Sequence, residues 1–247
     1  MRVLFAVISY QGDAQNGNNQ LIRDTWGKDI VDADLRFFIG RRSSAFYPLP
    51  DEILVDFQKS RTCQHAWWES YKDCCQDFWQ VQVRSMLEWS LIREYDFTYL
   101  CSTDTFVVPR LLMKTGFEKY DYSGYFVPEE LPLGVRSHWD IYAEKRYAWA
   151  DVGNGLFLSK RAAGLVLREP PNYQYTDQHI AQALGPYVES GLITAYRLPE
   201  FRNNIAWHFR DQEGTGYSTH GAGWMKRMYE EHKNDGTSTL DEGAKNV

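Results

Sequence analysis

The sequence is poor in cysteine, has no cationic excess and contains no long apolar run, and each shortage excludes a class of protein. Four cysteines in 247 residues, at positions 63, 74, 75 and 101, follow no zinc-ligand spacing and are too few for a disulfide framework. They read as reduced thiols of a cytoplasmic protein, with Cys74 and Cys75 adjacent on a helix. A formal net charge of -6 and a pI near 5.6 argue against a general nucleic-acid or anionic-membrane binder, while leaving room for a local basic pocket. The apolar start, Val3 to Ile8, is far shorter than the ~20 residues a membrane span needs, and no targeting segment is recognisable. No repeat or low-complexity tract interrupts the chain, so it reads as one domain over 1–233 with a polar tail over 234–247. Also missing are a Gly-x-Gly-x-x-Gly turn after the first strand, a Gly-Lys-Ser/Thr phosphate loop and a Gly-x-Ser-x-Gly nucleophile elbow.

Aromatic residues are plentiful: nine Trp, 16 Tyr and 13 Phe make up 15% of the chain. Apolar β-branched runs predict strands over 2–9, 34–39 and 53–57, then 97–100 and 105–108. Helices are expected over 20–26 and 64–94, the latter with Trp79, Val83, Met86, Leu87 and Ile92 near one face. In the second half, 122–127, 155–159 and 192–198 read as strands and 160–168 and 177–184 as helices, with Thr176 an N-cap. The Asn/Gly-rich stretch 11–19 and the Pro-, Trp- and Tyr-rich stretch 128–148 read as loops. Strands alternating with helices predict an α/β fold, a mainly parallel sheet with helices on both faces. Such sheets bind ligands beyond the carboxyl ends of their strands.

Asp104 sits at such an end, in the segment YDFTYLCSTDTFVV (95–108). A carboxylate there suits a divalent cation or a phosphate-bearing ligand, since Mg²⁺ and Mn²⁺ take hard oxygen donors and need few from the protein when a diphosphate supplies others. The alternative is an Asp that caps its own turn.

Several segments then resemble one family in the order that family has them. NQLIRDTWG (19–27) resembles the Arg-x-x-Ile-Arg-x-Thr-Trp-Gly signature of the β-1,3-galactosyltransferase and Fringe-like glycosyltransferases. STDTFV (102–107) is similar to their Asp-Asp-Asp-x-Phe/Tyr-Val segment, which carries the Asp-x-Asp metal motif. GNGLFLS (153–159), with Ala162 and Ala163, resembles Gly-Gly-x-Gly-Tyr-Val-Leu-Ser and the helix after it. Thr176 and Asp177 fall where the family has Glu-Asp-Val. The resemblance spans roughly residues 2–190. It implies a GT-A, Rossmann-like fold and transfer of a sugar from a nucleotide donor, UDP-linked, to a glycan, glycolipid or other hydroxyl acceptor. Modified phage DNA is a further acceptor that the acidic balance disfavours. The eukaryotic relatives are membrane-anchored; a chain with no anchor is expected in a bacterium or virus.

Aligned on Phe106 and Val107, Asp104 becomes the last acid of the metal motif, and Ser102 and Thr103 replace the other two. A hydroxyl is a poorer ligand for a hard cation than a carboxylate, so dependence on Mn²⁺ or Mg²⁺ becomes a question to test. His220, Gly223 and Lys226 have the His-x-x-Gly-x-x-Lys spacing of retaining galactosyltransferases. It implies His220 on the metal with Asp104, Gly223 beside the diphosphate and Lys226 on its oxygens. The competing reading is a surface loop, and His208 is the rival ligand. Asp177 is the expected base, taking the acceptor hydroxyl's proton during inverting transfer; the alternative is that it only stabilises a helix N-terminus. His179 is a weaker candidate base. Arg23 and Arg84 are expected on the donor phosphates, although Arg84 has Glu88 one helical turn away. Asp151, Gly153, Asn154 and Trp149 are expected to face the sugar or acceptor, with Trp139, Tyr142 and Tyr147 nearby. Trp26 and the pair Trp67–Trp68 read as packing residues. A reading of another class is a non-catalytic nucleotide-sugar or carbohydrate-binding module that lost turnover with the first acid of the motif.

Overall fold

No side chain from Val3 to Ile8 is polar, and the strand they open, β1 (Val3–Tyr10), is buried on both faces. It therefore needs cover on both sides, which a parallel sheet between helical layers provides. In a computed structural model, residues 1–41, 46–56, 71–127, 129, 132–138, 145–170, 176–198, 205–208 and 221–235 are described. β1 is flanked by β2 (Asp34–Arg41) and β4 (Phe97–Ser102), both parallel to it, and β3 (Glu52–Asp56) extends the sheet beyond β2. On the other side β11 (Leu156–Ser159) runs antiparallel to β4 and to β6 (Tyr122–Gly124), and β12 (Ala195–Arg197) closes that edge parallel to β6. The order is β12-β6-β11-β4-β1-β2-β3. The fold is mixed α/β with a mainly parallel central sheet.

Alternation along β1 assigns its residues to two cores. Val3, Phe5 and Val7 pack with Trp26, Phe37, Tyr99, Phe106 and Trp224. On this face lie α2 (Asn18–Asp24), the 3-10 turn Trp26–Asp29 and α7 (Gly221–His232). Trp26 is fully buried, and its indole N–H donates to the Thr105 carbonyl at 3.1 Å, which anchors it in packing as expected. Leu4, Ala6 and Ile8 pack on the opposite face with α3 (Tyr71–Ile92), α5 (Lys160–Arg168) and α6 (Thr176–Glu189). α5 has the bounds read from sequence, and its N-cap is Ser159, whose hydroxyl accepts from the Ala162 N–H at 3.1 Å.

Elsewhere the elements differ from the sequence reading. The loop over 11–19 contains a short helix, α1 (Gln11–Gln15), and Gly17 at φ 86° turns the chain into α2. The strand over 122–127 divides after Gly124: β6 joins the main sheet, and β7 (Phe126–Val127) pairs with β10 (Trp149–Ala150). The stretch 128–148 holds two short antiparallel strands, β8 (Ser137–His138) and β9 (Lys145–Arg146). α6 runs past Pro186 to Glu189. Gly185 is there for close packing, because a Cβ would lie 2.2 Å from the Tyr147 ring. Thr176 begins α6 without capping it, its buried hydroxyl having no hydrogen-bond partner among the described residues. β5 (Thr105–Val107), followed by α4 (Pro109–Leu112), pairs with β13 (Ala206–His208), a strand not read from sequence. Of the expected elements, residue 57 and residues 64–70 lie outside the described residues, as do Cys63, Trp67, Trp68, Trp139, Tyr142 and the tail from 236. Among the described residues no helix is long and apolar enough to cross a membrane.

Candidate active site

β1 and β4 are adjacent and parallel, so the residues that follow them emerge side by side at the carboxyl edge of the sheet. From β4 comes the turn Thr103-Asp104, between β4 and β5. The Ser102 hydroxyl donates to the Asp104 carboxylate, and the Ser102 N–H donates to the Thr105 hydroxyl at 3.2 Å. Ser102 and Thr103 are buried and Asp104 is half-buried. From β1 comes Asp13, on α1. Its carboxylate accepts from the Tyr10 N–H at 3.2 Å, from the Asn18 amide at 2.8 Å and from the Thr103 side chain. Burial pushes its pKa up, and the negative charge of Asp104 adds to that. The sequence reading missed Asp13. Its position just past a buried strand was the available signal.

A second turn, residues 151–155, packs on the first. The Asp151 carboxylate accepts from the Gly153 N–H at 2.9 Å and from the Asn154 amide at 2.7 Å. The Thr105 hydroxyl donates to the Gly153 carbonyl at 2.7 Å, and the Tyr99 phenol to the Asn154 carbonyl at 3.0 Å. Ser102, Thr103, Asp104, Asp151, Gly153 and Asn154 thus belong to one hydrogen-bonded unit. Asp177, in the first turn of α6, is its neighbour. Its carboxyl is raised to about 7, first by burial and then by the charge of Asp151. Trp149 is 6% exposed and packs with Tyr147 and Ala181 of α6.

Arg23 and Arg84, also expected at the site, are engaged elsewhere. Arg23 is held at β3, where its guanidinium bonds both oxygens of Asp51 and the Glu52 carboxylate, each at 2.8 Å. It also stacks over Phe37. Arg84 donates to the Leu167 carbonyl at 2.7 Å and to the Glu169 carbonyl at 2.8 Å, at the C-terminal end of α5, and not to Glu88. It is thereby a helix cap for orphan carbonyls. Gly223 and Lys226 are both exposed on α7, which packs against α2 and β5 through the buried Trp224 and Met225. The surface loop of the competing reading is therefore a helix from Gly221. His220 and the side chain of His208 lie outside the described residues. His179 is buried beside Arg84, and neither ring nitrogen has a hydrogen-bond partner among the described residues.

A divalent cation bound through a diphosphate needs only a few hard oxygens from the protein. Asp13 and Asp104 are two such donors on neighbouring strand ends, and this donor set fits the ion. Ser102 adds no charge, and its hydroxyl hydrogen is directed at Asp104. Among the described residues no three His, Cys, Asp or Glu side chains gather as a ready-made cage.

The fold and site together define a mixed α/β protein with carboxylates and hydroxyls gathered at the carboxyl edge of its sheet. No protein-family model matches the chain, and no curated protein matches it in sequence. Solved structures do resemble it. The galactosyltransferase LgtC, solved with donor and acceptor sugar analogs, is 12% identical over 94% of this chain and 96% of its own, with a TM-score of 0.46. A glycosyltransferase involved in glycosylating the major capsid of PBCV-1 is 10% identical over 91% of this chain and 99% of its own, with a TM-score of 0.44. A protein from Desulfovibrio desulfuricans G20, described as a nucleotide-diphospho-sugar transferase, is 10% identical over 93% of this chain and 95% of its own, with a TM-score of 0.46.

Proposed function

We propose that the chain is a GT-A glycosyltransferase that moves a sugar from a nucleotide-diphosphate donor, a UDP-sugar, to a hydroxyl acceptor with inversion. The observation that carries this reading is the joining of the Ser102–Asp104 turn to the Asp151–Asn154 turn, with Asp177 beside them. Those three segments are among the four whose sequences resemble the family. In this reading Asp104 and Asp13 hold Mn²⁺ or Mg²⁺ together with His220. When bound, the ion supplies Lewis-acid stabilisation of the departing diphosphate. Lys226 is assigned to the diphosphate oxygens. Arg23 and Arg84, each saturated by partners within the protein, are assigned to holding the fold and not to the donor.

Asp177 takes the proton of the acceptor hydroxyl as that oxygen bonds to the anomeric carbon. The bond from that carbon to the diphosphate oxygen breaks, and its electron pair leaves with the diphosphate. A carboxylate with a raised pKa is a stronger base than an ordinary one, and its half-buried position leaves it open to a substrate. Asp151, half-buried, is assigned to the sugar hydroxyls, with Gly153 and Asn154 holding its carboxylate.

A thermal-shift screen of nucleotide-sugars with and without Mn²⁺ tests the donor. A true donor at about 100 times its Kd adds ~2.7 kcal/mol of stability. No shift with any UDP- or GDP-sugar overturns the assignment, and a product of retained anomeric configuration removes Asp177 as base. One observation favours a second reading, a binding module without turnover: the Ser102 hydroxyl occupies a carboxylate oxygen of Asp104. UDP binding without metal-dependent donor hydrolysis, unaffected by Asp104→Ala, supports that module.

A further inference from the structure

Asp177 has a second carboxyl group for a neighbour, and that neighbour is held in place from several sides. Gly185 of α6 packs on Tyr147 and Ala181 on Trp149, so the chain through β10 runs toward the N-terminal end of α6 and its next turn, at Asp151, comes to the first turn of α6. The Asp151 N–H donates to the Tyr125 carbonyl at 2.8 Å. Its carboxylate oxygens each accept one bond, from Gly153 and from Asn154. Thr105 and Tyr99 then fix the next two carbonyls of the turn. Just before it, the Ala150 N–H donates to the Tyr122 hydroxyl at 2.8 Å, and this phenol also lies in the field of Asp177. Asp151 therefore cannot swing away from Asp177 without breaking the turn.

The remaining charges around α6 do not screen the pair. From α3 the facing cation is Arg84, which acts on His179. The cations of α5, Lys160, Arg161 and Arg168, are exposed. From β6 the titratable group is Tyr122, and from the turn after β10 it is Asp151 itself. Asp177 receives a bond from the adjacent Gln178 N–H, at 2.8 Å, and one from its own N–H. No cation acts on it among the described residues. A carboxylate beside a second carboxyl group in a poorly solvated site makes that second group harder to ionise.

We propose that Asp151 is a positioning residue whose carboxylate, held beside Asp177, adds to the proton affinity that burial gives Asp177. This rests on the reading of Asp177 as the base and gives it a tuning partner. Asp177 keeps its proton below neutrality and releases it above. At neutral pH Asp177 is then ionised often enough to accept the acceptor's proton, yet basic enough to hold it during the transfer. Asp151 does this without touching the reacting atoms.

The test follows the ¹³C carboxyl shifts of Asp-labelled protein through a pH titration. Asp177→Asn identifies the signal by removing it. In the unaltered protein this signal is expected to titrate near neutrality. In Asp151→Asn, which removes the charge and keeps the shape, its midpoint falls by about one unit or more, a tenfold or greater loss of proton affinity. Asp151→Ser, which keeps an acceptor for the Gly153 N–H, is the second variant should the first not fold. An Asp177 signal in the ordinary carboxylate range, or one that does not move in either variant, overturns the pair. In a transfer assay the acidic limb of the rate profile moves with the NMR midpoint. A moving midpoint with no transfer from any donor leaves the pair standing and overturns the catalytic reading, so the two failures are distinct.

Discussion

The Thr105 hydroxyl donates to the Gly153 carbonyl at 2.7 Å and accepts from the Ser102 N–H at 3.2 Å. One side chain therefore ties the turn carrying Asp104 to the turn carrying Asp151. Thr105 is fully buried, so both partners depend on it. Thr105→Val keeps the shape and removes both bonds, leaving a buried N–H and a buried carbonyl short of a partner. The expected loss is about 1–3 kcal/mol, read by urea denaturation, with a loss of donor hydrolysis larger than the stability change explains. Thr105→Ser restores both. A Val variant as active and as stable as the parent would show that the two turns are held by other contacts.

Gly155 makes the second turn possible. It lies at φ 89°, where only glycine is unstrained, and a Cβ built there falls 1.9 Å from the Tyr99 hydroxyl oxygen and 2.2 Å from the ring carbon that bears it. Gly155→Ala is expected to destabilise by about 3 kcal/mol or more, combining backbone strain with overpacking. Adding Tyr99→Phe should not rescue it, because the ring carbons still clash. Melting temperatures of the two variants decide this; recovery in the double variant would mean that only the hydroxyl stands in the way.

At the β2–β3 side of the sheet, Arg23 neutralises Asp51 and Glu52. The Glu52 side chain is 3% exposed and also accepts from the buried Asn19 amide at 3.1 Å. Removing the guanidinium leaves a buried carboxylate without its cation, so Arg23→Ala is expected to cost about 2–4 kcal/mol. Arg23→Lys should recover little, because an ammonium cannot span Asp51 and Glu52 together. If nucleotide affinity falls in Arg23→Ala while Asp51→Asn leaves both stability and affinity intact, Arg23 acts on the donor after all.

Much of the fold was legible in the sequence. The all-apolar run of β1 demanded a two-sided core, and the alternation of strand and helix in the first half fixed a parallel arrangement. Ser159 and the double proline after Glu169 bounded α5. What failed was local punctuation overridden by packing. Gly185 and Pro186 look like a helix stop, but the glycine lets Tyr147 approach and the helix continues. Gly221 and Gly223 look like a loop, but Trp224 and Met225 bury a helix there. At the site, Asp104, Asp151 and Asp177 were named from sequence. Asp13, Thr105 and Tyr99 were not, because their roles arise only when turns distant in sequence are brought together. Arg84 was misjudged for the same reason. Its nearest acid in sequence, Glu88, lost to the uncapped carbonyls of α5, which no spacing rule reveals.

Asp177 and His179 give the protein two opposed pH dependences that can be separated. The folded Asp177 carboxyl is raised from 3.8 to about 7, by burial first and Asp151 second. A raised acid binds its proton more tightly in the folded state, so the stability it allows is greatest below about pH 4 and is lost as pH climbs to about 7. Asp177→Asn has no such proton, and its advantage over the parent should grow across that window and then level off. At 1.36 kcal/mol per unit, the plateau has a ceiling of about 4 kcal/mol. His179 runs the other way. Burial first, and Arg84 second, lower its pKa from 6.5, and among the described residues neither ring nitrogen has a bond that would favour the charged form. Its contribution is therefore complete above the ordinary histidine pKa and is lost as pH falls below it. His179→Leu should flatten the acid side of the stability curve and leave the neutral side unchanged. Denaturant unfolding of the parent and both variants from about pH 4 to 8.5 resolves the two windows. Parallel curves for the parent and Asp177→Asn would mean that the carboxyl ionises as freely in the folded chain as in the unfolded one.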